Sequence, residues 1–177
     1  MQMVFCKFKY FDMKTITSTS SMDRTNFLIT LILTALLVVL FFAIPDFYPR
    51  LILFALFSVL YVVIYGHIPT SFSLTEDSLV LKAPYKKISI RLNEISAAQY
   101  LGKGNVFSMI RTFGCSGIFG HWGYFYSPRI GKVKLYARRN NHWILIHTLH
   151  KGKYIIAPDD PSFFDELQSR LLIEKVE

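Results

Sequence analysis

Residues 27–44 read FLITLILTALLVVLFFAI, an 18-residue run without a charge whose only polar side chains are Thr30 and Thr34. As a helix rising about 1.5 Å per residue, the run is roughly 27 Å long, close to the hydrocarbon thickness of a bilayer. Backbone groups in lipid must bond within their own segment, so a helix is the conformation such a run can adopt there. Pro45, Asp46, Pro49 and Arg50 interrupt it, and two prolines and two charges so close together predict a turn. A second apolar run, residues 51–65 (LILFALFSVLYVVIY), is extended by Gly66, His67 and Ile68. Tyr61 and Tyr65 near its end suit an interfacial aromatic belt. The expectation is a transmembrane helical hairpin with helices at about 26–44 and 51–68. A soluble chain of 177 residues has little against which to bury two uncharged helices. No good small-x-small cleavage site follows the first run, which argues against a signal peptide.

Working outward, residues 1–25 form a polar N-terminal segment with a Ser/Thr run at 15–21, expected to lack fixed structure. Met1, Met13 and Met22 are all possible starts. Lys7, Lys9, Lys14 and Arg24 precede the first run, and the turn between the runs has only Arg50. Lys82, Lys86, Lys87 and Arg91 then follow the second. By the positive-inside rule both termini are expected in the cytoplasm and the 45–50 turn outside. The whole chain carries a formal charge of +8, and from residue 69 onward there are 15 basic and 9 acidic residues. That balance suits an anionic lipid, nucleic acid or an acidic protein surface without choosing among them. Cys6 and Cys115 are far apart and belong to no CxxC or Cys/His spacing, so no disulfide scaffold is expected.

From residue 69 the pattern changes from apolar runs to alternation. Phe72 and Leu74 alternate with Ser71, Ser73 and Thr75; Ile88, Ile90 and Leu92 with Lys87, Ser89 and Arg91; Val133, Leu135 and Ala137 with Lys132, Lys134 and Tyr136. Such a period of two marks half-buried strands. Residues 143–147 (WILIH) are apolar on both faces and predict a more central strand, and 153–156 predict another short one. About seven strands are expected between residues 70 and 157. The chain then breaks at 157–161, where Asp160 and Pro161 are placed to open a helix. Phe163, Phe164, Leu167, Leu171 and Leu172 recur at helical spacing, with Asp165, Glu166, Ser169 and Arg170 on the other face. One terminal amphipathic helix can plug a partly open antiparallel barrel and cover its edge.

Seven strands followed by one helix is the element order of the pleckstrin-homology (PH) architecture. Residues 111–114 (RTFG), 117–126 (GIFGHWGYFY), 131–137 (GKVKLYA) and 155–159 (IIAPD), with Phe163 and Phe164, resemble a bacterial PH-like domain family over about residues 69–173. The resemblance implies an α+β, mainly β domain at 69–177: a seven-stranded PH-like half-barrel capped by the C-terminal helix. It also implies a bacterial setting, and with the hairpin a multi-pass protein of the inner (cytoplasmic) membrane. Eukaryotic phosphoinositide-binding relatives place basic residues at the first hairpin, where this chain has Glu76 and Asp77. Inositol-lipid recognition is therefore not expected.

Candidate binding residues fall in two groups. Gly114, Gly117, Gly120 and Gly123 recur every third residue. They read as a bulged or tightly turned connection, with a backbone anion nest as the alternative. Arg111, Arg129, Lys132, Lys134, Arg138 and Arg139 are candidates for a basic ligand or lipid surface, although strand edges also carry such residues as protection against edge pairing. Nothing points to catalysis. The GCSG at 114–117 is not a GxSxG elbow, and the acids Asp159, Asp160, Asp165 and Glu166 gather at a helix start. No metal is expected, because His121, His142, His147 and His150 share no ligand spacing. No nucleotide motif or RNP-like run occurs, so neither a cofactor nor a nucleic-acid partner is expected. The resulting expectation is a non-enzymatic, membrane-anchored binding or scaffolding module that presents a cytoplasmic surface to a protein partner. Direct contact with anionic lipid headgroups is the second expectation. Self-assembly as a homo-oligomer, through the helices or an exposed strand edge, is the third.

Overall fold

The computed structural model of the protein describes residues 15–174. Most of the polar N-terminal segment, with Cys6, Met1 and Met13, lies outside the described residues. Helices α1 (Arg24–Ala43) and α2 (Phe47–His67) are both long and apolar enough to cross a membrane. Asp23 opens α1, its carboxylate accepting the Asn26 N–H at 2.9 Å. The second helix begins at Phe47, earlier than the expected residue 51, because Pro49 falls in its first turn, where a backbone N–H has no intrahelical partner to lose. Arg50 folds back over the short break: Nη2 donates to the Ile44 carbonyl at 2.6 Å and the guanidinium lies 5.5 Å from the Phe41 ring centre. Only 6% of the apolar window of each helix is buried within the protein, so the domain's own core does not cover these side chains.

The rest of the chain forms two sheets. The first is antiparallel, in the order β1 (Ile16–Thr19), β2 (Ser71–Leu74), β3 (Ser78–Lys82), β4 (Lys87–Arg91). The second contains β5 (Ile95–Gly102), β6 (Ile110–Ser116), β7 (His121–Ser127), β8 (Gly131–Ala137), β9 (Trp143–Thr148) and β10 (Lys153–Ile156). Its order is β5-β9-β10-β8-β7-β6, antiparallel except for the β10–β8 pair. Helix α3 (Ser162–Glu174) follows, with the Asp160 carboxylate accepting the Ser162 N–H at 2.9 Å. The first sheet, one face of the second and α3 enclose a core that includes Phe72, Leu79, Ile90, Ile146, Ile156, Phe163 and Leu167. Phe125, Val133, Leu135, Trp143, Leu145 and Ile155 form a second cluster. Leu145 and Ile146 belong to different clusters, so β9 is covered on both faces, as its sequence predicts.

The structure departs from the sequence reading in three further places. Ten strands in two sheets occur among the described residues, rather than one seven-stranded half-barrel. Strand β1 lies inside the Ser/Thr run, where Thr17 Oγ1 meets Ser73 Oγ at 3.1 Å and the whole strand pairs with β2. The Thr17 hydroxyl, which suggests a solvated tail, finds a cross-strand partner instead. Arg170, assigned to the outer face of α3, is buried: it donates to the Thr75 carbonyl at 2.8 Å and to Glu166 at 2.9 Å.

Candidate functional site

The glycine row builds the tip of the β6–β7 hairpin. Gly114 and Gly123 pair across the two strands at φ +113° and +123°. A Cβ on Gly114 would fall on the Trp122 carbonyl oxygen, and one on Gly123 on the Phe113 carbonyl oxygen. The strands thus approach more closely than any side chain allows. Gly117 and Gly120 close the turn, the Gly117 N–H donating to the Gly120 carbonyl at 2.9 Å, with Phe119 left-handed at φ +58°. Two of the tip's N–H groups are therefore engaged, that of Gly117 within the turn and that of Phe119 by Thr30 Oγ1 at 3.0 Å.

That last bond marks a joint between the domain and both helices. The Phe119 ring sits edge-on to Tyr61 and Tyr65 of α2, with centres 5.5 and 5.7 Å apart. Asn26 of α1 is buried, and its Nδ2 donates to the Arg138 carbonyl at 3.0 Å and meets His121 Nε2 at 3.3 Å. With Nε2 accepting, the imidazole proton lies on Nδ1 and donates to Ser116 Oγ at 2.8 Å. Burial drives the His121 pKa down to about 4, against the opposing charge of Asp23. At the base of α2, His67 stacks on Trp122 at 4.7 Å, and the Tyr85 N–H donates to the Gly66 carbonyl at 2.9 Å. The tips of β3–β4 and β6–β7 thereby grip the end of α2.

The six basic candidates do not make one face. Arg138 donates to the Ser20 carbonyl at 3.3 Å, and Arg139 pairs with Asp159 at 2.8 Å; both belong to the joint and its surroundings. Asp159 also accepts from Thr19 Oγ1 at 2.7 Å and from the Ser21 N–H at 2.9 Å. Partial burial pushes its pKa up, but these bonds outweigh it and hold the carboxyl below its usual range. Lys132 and Lys134 lie on β8 opposite Tyr126 and Tyr124. Lys134 Nζ donates to Tyr154 Oη at 3.1 Å and lies 5.8 Å from the Tyr124 ring centre. Arg111 pairs in register with Phe125, on the other side of the sheet from these lysines, and Arg129 is exposed in the β7–β8 turn.

A feature absent from the sequence reading is an exposed apolar and aromatic surface on the same hairpin. Ile110, Phe113, Tyr124 and Tyr126 are 63, 64, 50 and 41% exposed. Among the described residues strand β6 is the edge of its sheet, and its outer N–H and C=O groups have no strand partner there. The available signal was the alternation of Trp122, Tyr124 and Tyr126, masked by reading the stretch as a glycine row. Among the described residues no group of three or more His, Cys, Asp or Glu side chains is placed to hold a metal. His142 bonds Tyr100 Oη at 2.8 Å, and burial pushes the Cys115 thiol pKa up, away from the reactive range.

The geometry can be set beside known proteins. No curated protein and no solved structure matches the chain. A family model described as "Bacterial PH domain" matches residues 70–171, from the start of β2 into the last turn of α3. That match covers more than half of the chain, strands β2 to β10 and most of α3, and this protein belongs to the bacterial PH domain family.

Proposed function

We propose that the protein is a membrane-anchored, non-enzymatic binding module whose α1–α2 hairpin spans the cytoplasmic membrane and whose PH domain presents the β6–β7–β8 surface to a protein partner in the cytoplasm. One observation carries the reading. A contiguous set of exposed Ile110, Phe113, Tyr124 and Tyr126 lies beside Lys132 and Lys134 on a hairpin ending in an unpaired edge strand. Exposed aromatic residues with a polar rim are the composition of protein interfaces, and a free edge can accept an added strand. The tip of that hairpin is locked to both helices through Phe119 and Thr30, so the surface keeps a fixed attitude to the anchor.

The test places a photo-crosslinking amino acid at Phe113 or Tyr124 in living cells, with Leu172 on α3, also exposed, as control. The expected result is a discrete protein adduct from the hairpin positions and none from 172. An adduct of twice the chain's mass would identify the partner as a second copy. Absence of any protein adduct at 113 and 124 counts against the proposal.

A further inference from the structure

An open cavity of about 800 Å³ lies at the base of α1, apart from the β6–β7 surface. Three chain segments converge on it: the start of α1 with Asp23, Arg24 and Thr25, the β5–β6 connection with Lys103, Gly104 and Asn105, and the β8–β9 turn with Arg139, Asn140 and Asn141. The walls are fixed. Gly104 packs on the face of the Trp143 indole so closely that a Cβ there would enter the ring, and its N–H donates to the Asn140 carbonyl at 2.7 Å. Trp143 Nε1 in turn donates to the Arg139 carbonyl at 2.8 Å.

The charges in the lining are unbalanced. Asp23 is the only acid in it among the described residues, and both its oxygens are engaged, Oδ1 by the Asn26 N–H at 2.9 Å and Oδ2 by the Asn140 N–H at 3.0 Å. Arg139 commits one Nη to Asp159, while its Nε is buried with no partner. Arg24 and Lys103 are exposed and have no acidic partner among the described residues.

We infer that this cavity binds a phosphate group, held by Arg24, Lys103 and Arg139 with the side-chain amide of Asn141. Its depth suggests the source. Phe27, the first residue of the uncharged run, follows Arg24 by less than one turn, about 5 Å of helix rise. If α1 spans the bilayer as proposed above, the cavity stands at headgroup level and an anionic phospholipid supplies the phosphate. If it does not, a soluble phosphate ester meets the same groups.

The experiment uses the full chain in neutral detergent and two probes. Native mass spectrometry counts bound phosphatidylglycerol against phosphatidylcholine, and calorimetry titrates sn-glycerol 3-phosphate. The expected result is one tightly retained phosphatidylglycerol, weakened at least tenfold by Arg24→Gln with Lys103→Gln, restored in part by Arg24→Lys with Lys103 intact, and unchanged by Lys87→Gln on β4. Both altered positions are exposed, so an unchanged melting temperature is expected to accompany the loss. Binding of glycerol 3-phosphate alone, with the same sensitivity, upholds the site and makes its source soluble. Equal retention of both probes by the double variant, or binding of neither by the folded wild type, overturns the inference. Alkaline extraction of native membranes separately tests the anchor, so failure of the anchor and failure of the cavity are told apart.

Discussion

Thr30, within the apolar stretch of α1, accepts the backbone N–H of Phe119 at 3.0 Å, joining a candidate membrane helix to the tip of a hairpin in the PH domain. The same hydroxyl donates to the Asn26 carbonyl at 2.7 Å, as Thr side chains in helices commonly do. Thr30 is thus a polar residue in an apolar run with a specific partner outside it. Thr30→Val keeps the shape and leaves the Phe119 N–H without its acceptor. The expected cost is about 1–3 kcal/mol, read as a fall of several degrees in the melting temperature of the detergent-solubilised chain together with faster proteolysis at residues 117–120. Unchanged melting and cleavage would mean that the joint does not hold the domain.

Gly114 and Gly131 both have positive φ, but their surroundings differ. A side chain at Gly114 meets the backbone of β7, whereas one at Gly131 meets nothing within 4 Å. Gly131→Ala is expected to cost only the conformational penalty, about 1 kcal/mol. Gly114→Ala must also push two strands apart and is expected to cost more than about 3 kcal/mol. Parallel thermal melts of the two variants check the order.

The pH dependence follows from His121. Its folded pKa of about 4 lies below the 6.5 of an ordinary imidazole in the unfolded chain. Between these values the unfolded state binds a proton that the folded state refuses, so stability rises with pH across this window. The contribution is fully present above pH 6.5 and is lost as the pH falls toward 4, at most about 3 kcal/mol. His121→Gln removes the titrating group. Melting temperatures measured from pH 4 to 7 are expected to flatten in the variant relative to the wild type, and identical slopes would place the titration elsewhere.

Asp159 gathers Thr19, Ser21 and Arg139 around one carboxylate and so ties the chain after β1 to the chain after β10. Asp159→Asn removes the charge that these donors share. The expected loss is about 2–3 kcal/mol, and limited proteolysis is expected to cut near residues 15–22 in the variant first.

The legible parts of this fold are those whose chemistry is carried by side-chain pattern. The uncharged run at 27–44 gave α1, the alternation of Val133, Leu135 and Ala137 gave β8, and the doubly apolar WILIH gave β9. Strands β6 and β7 are harder to read because Gly114 and Gly123 stand where the backbones nearly touch, so one face of the hairpin lacks side chains there and the glycine spacing competes with the aromatic alternation of the other. The joint was hidden for a related reason. Its bonds run to the Arg138 carbonyl and from the Phe119 N–H, groups every residue has, at a backbone angle the sequence does not announce. Of the basic candidates, Lys132 and Lys134 share a face through strand register, while Arg138 and Arg139 are drawn into the joint by partners more than 18 residues away in sequence, Ser20 and Asp159.

The central claim is that α1 and α2 cross the membrane with the PH domain in the cytoplasm, and protease protection tests it most directly. One epitope tag is placed in the break at 44–46 and another at the C-terminus, and both are followed in spheroplasts and in inverted membrane vesicles. The account predicts that the C-terminal tag is protected in spheroplasts and cut in inverted vesicles, with the opposite pattern for the tag between the helices. Cleavage of the C-terminal tag in intact spheroplasts would contradict it.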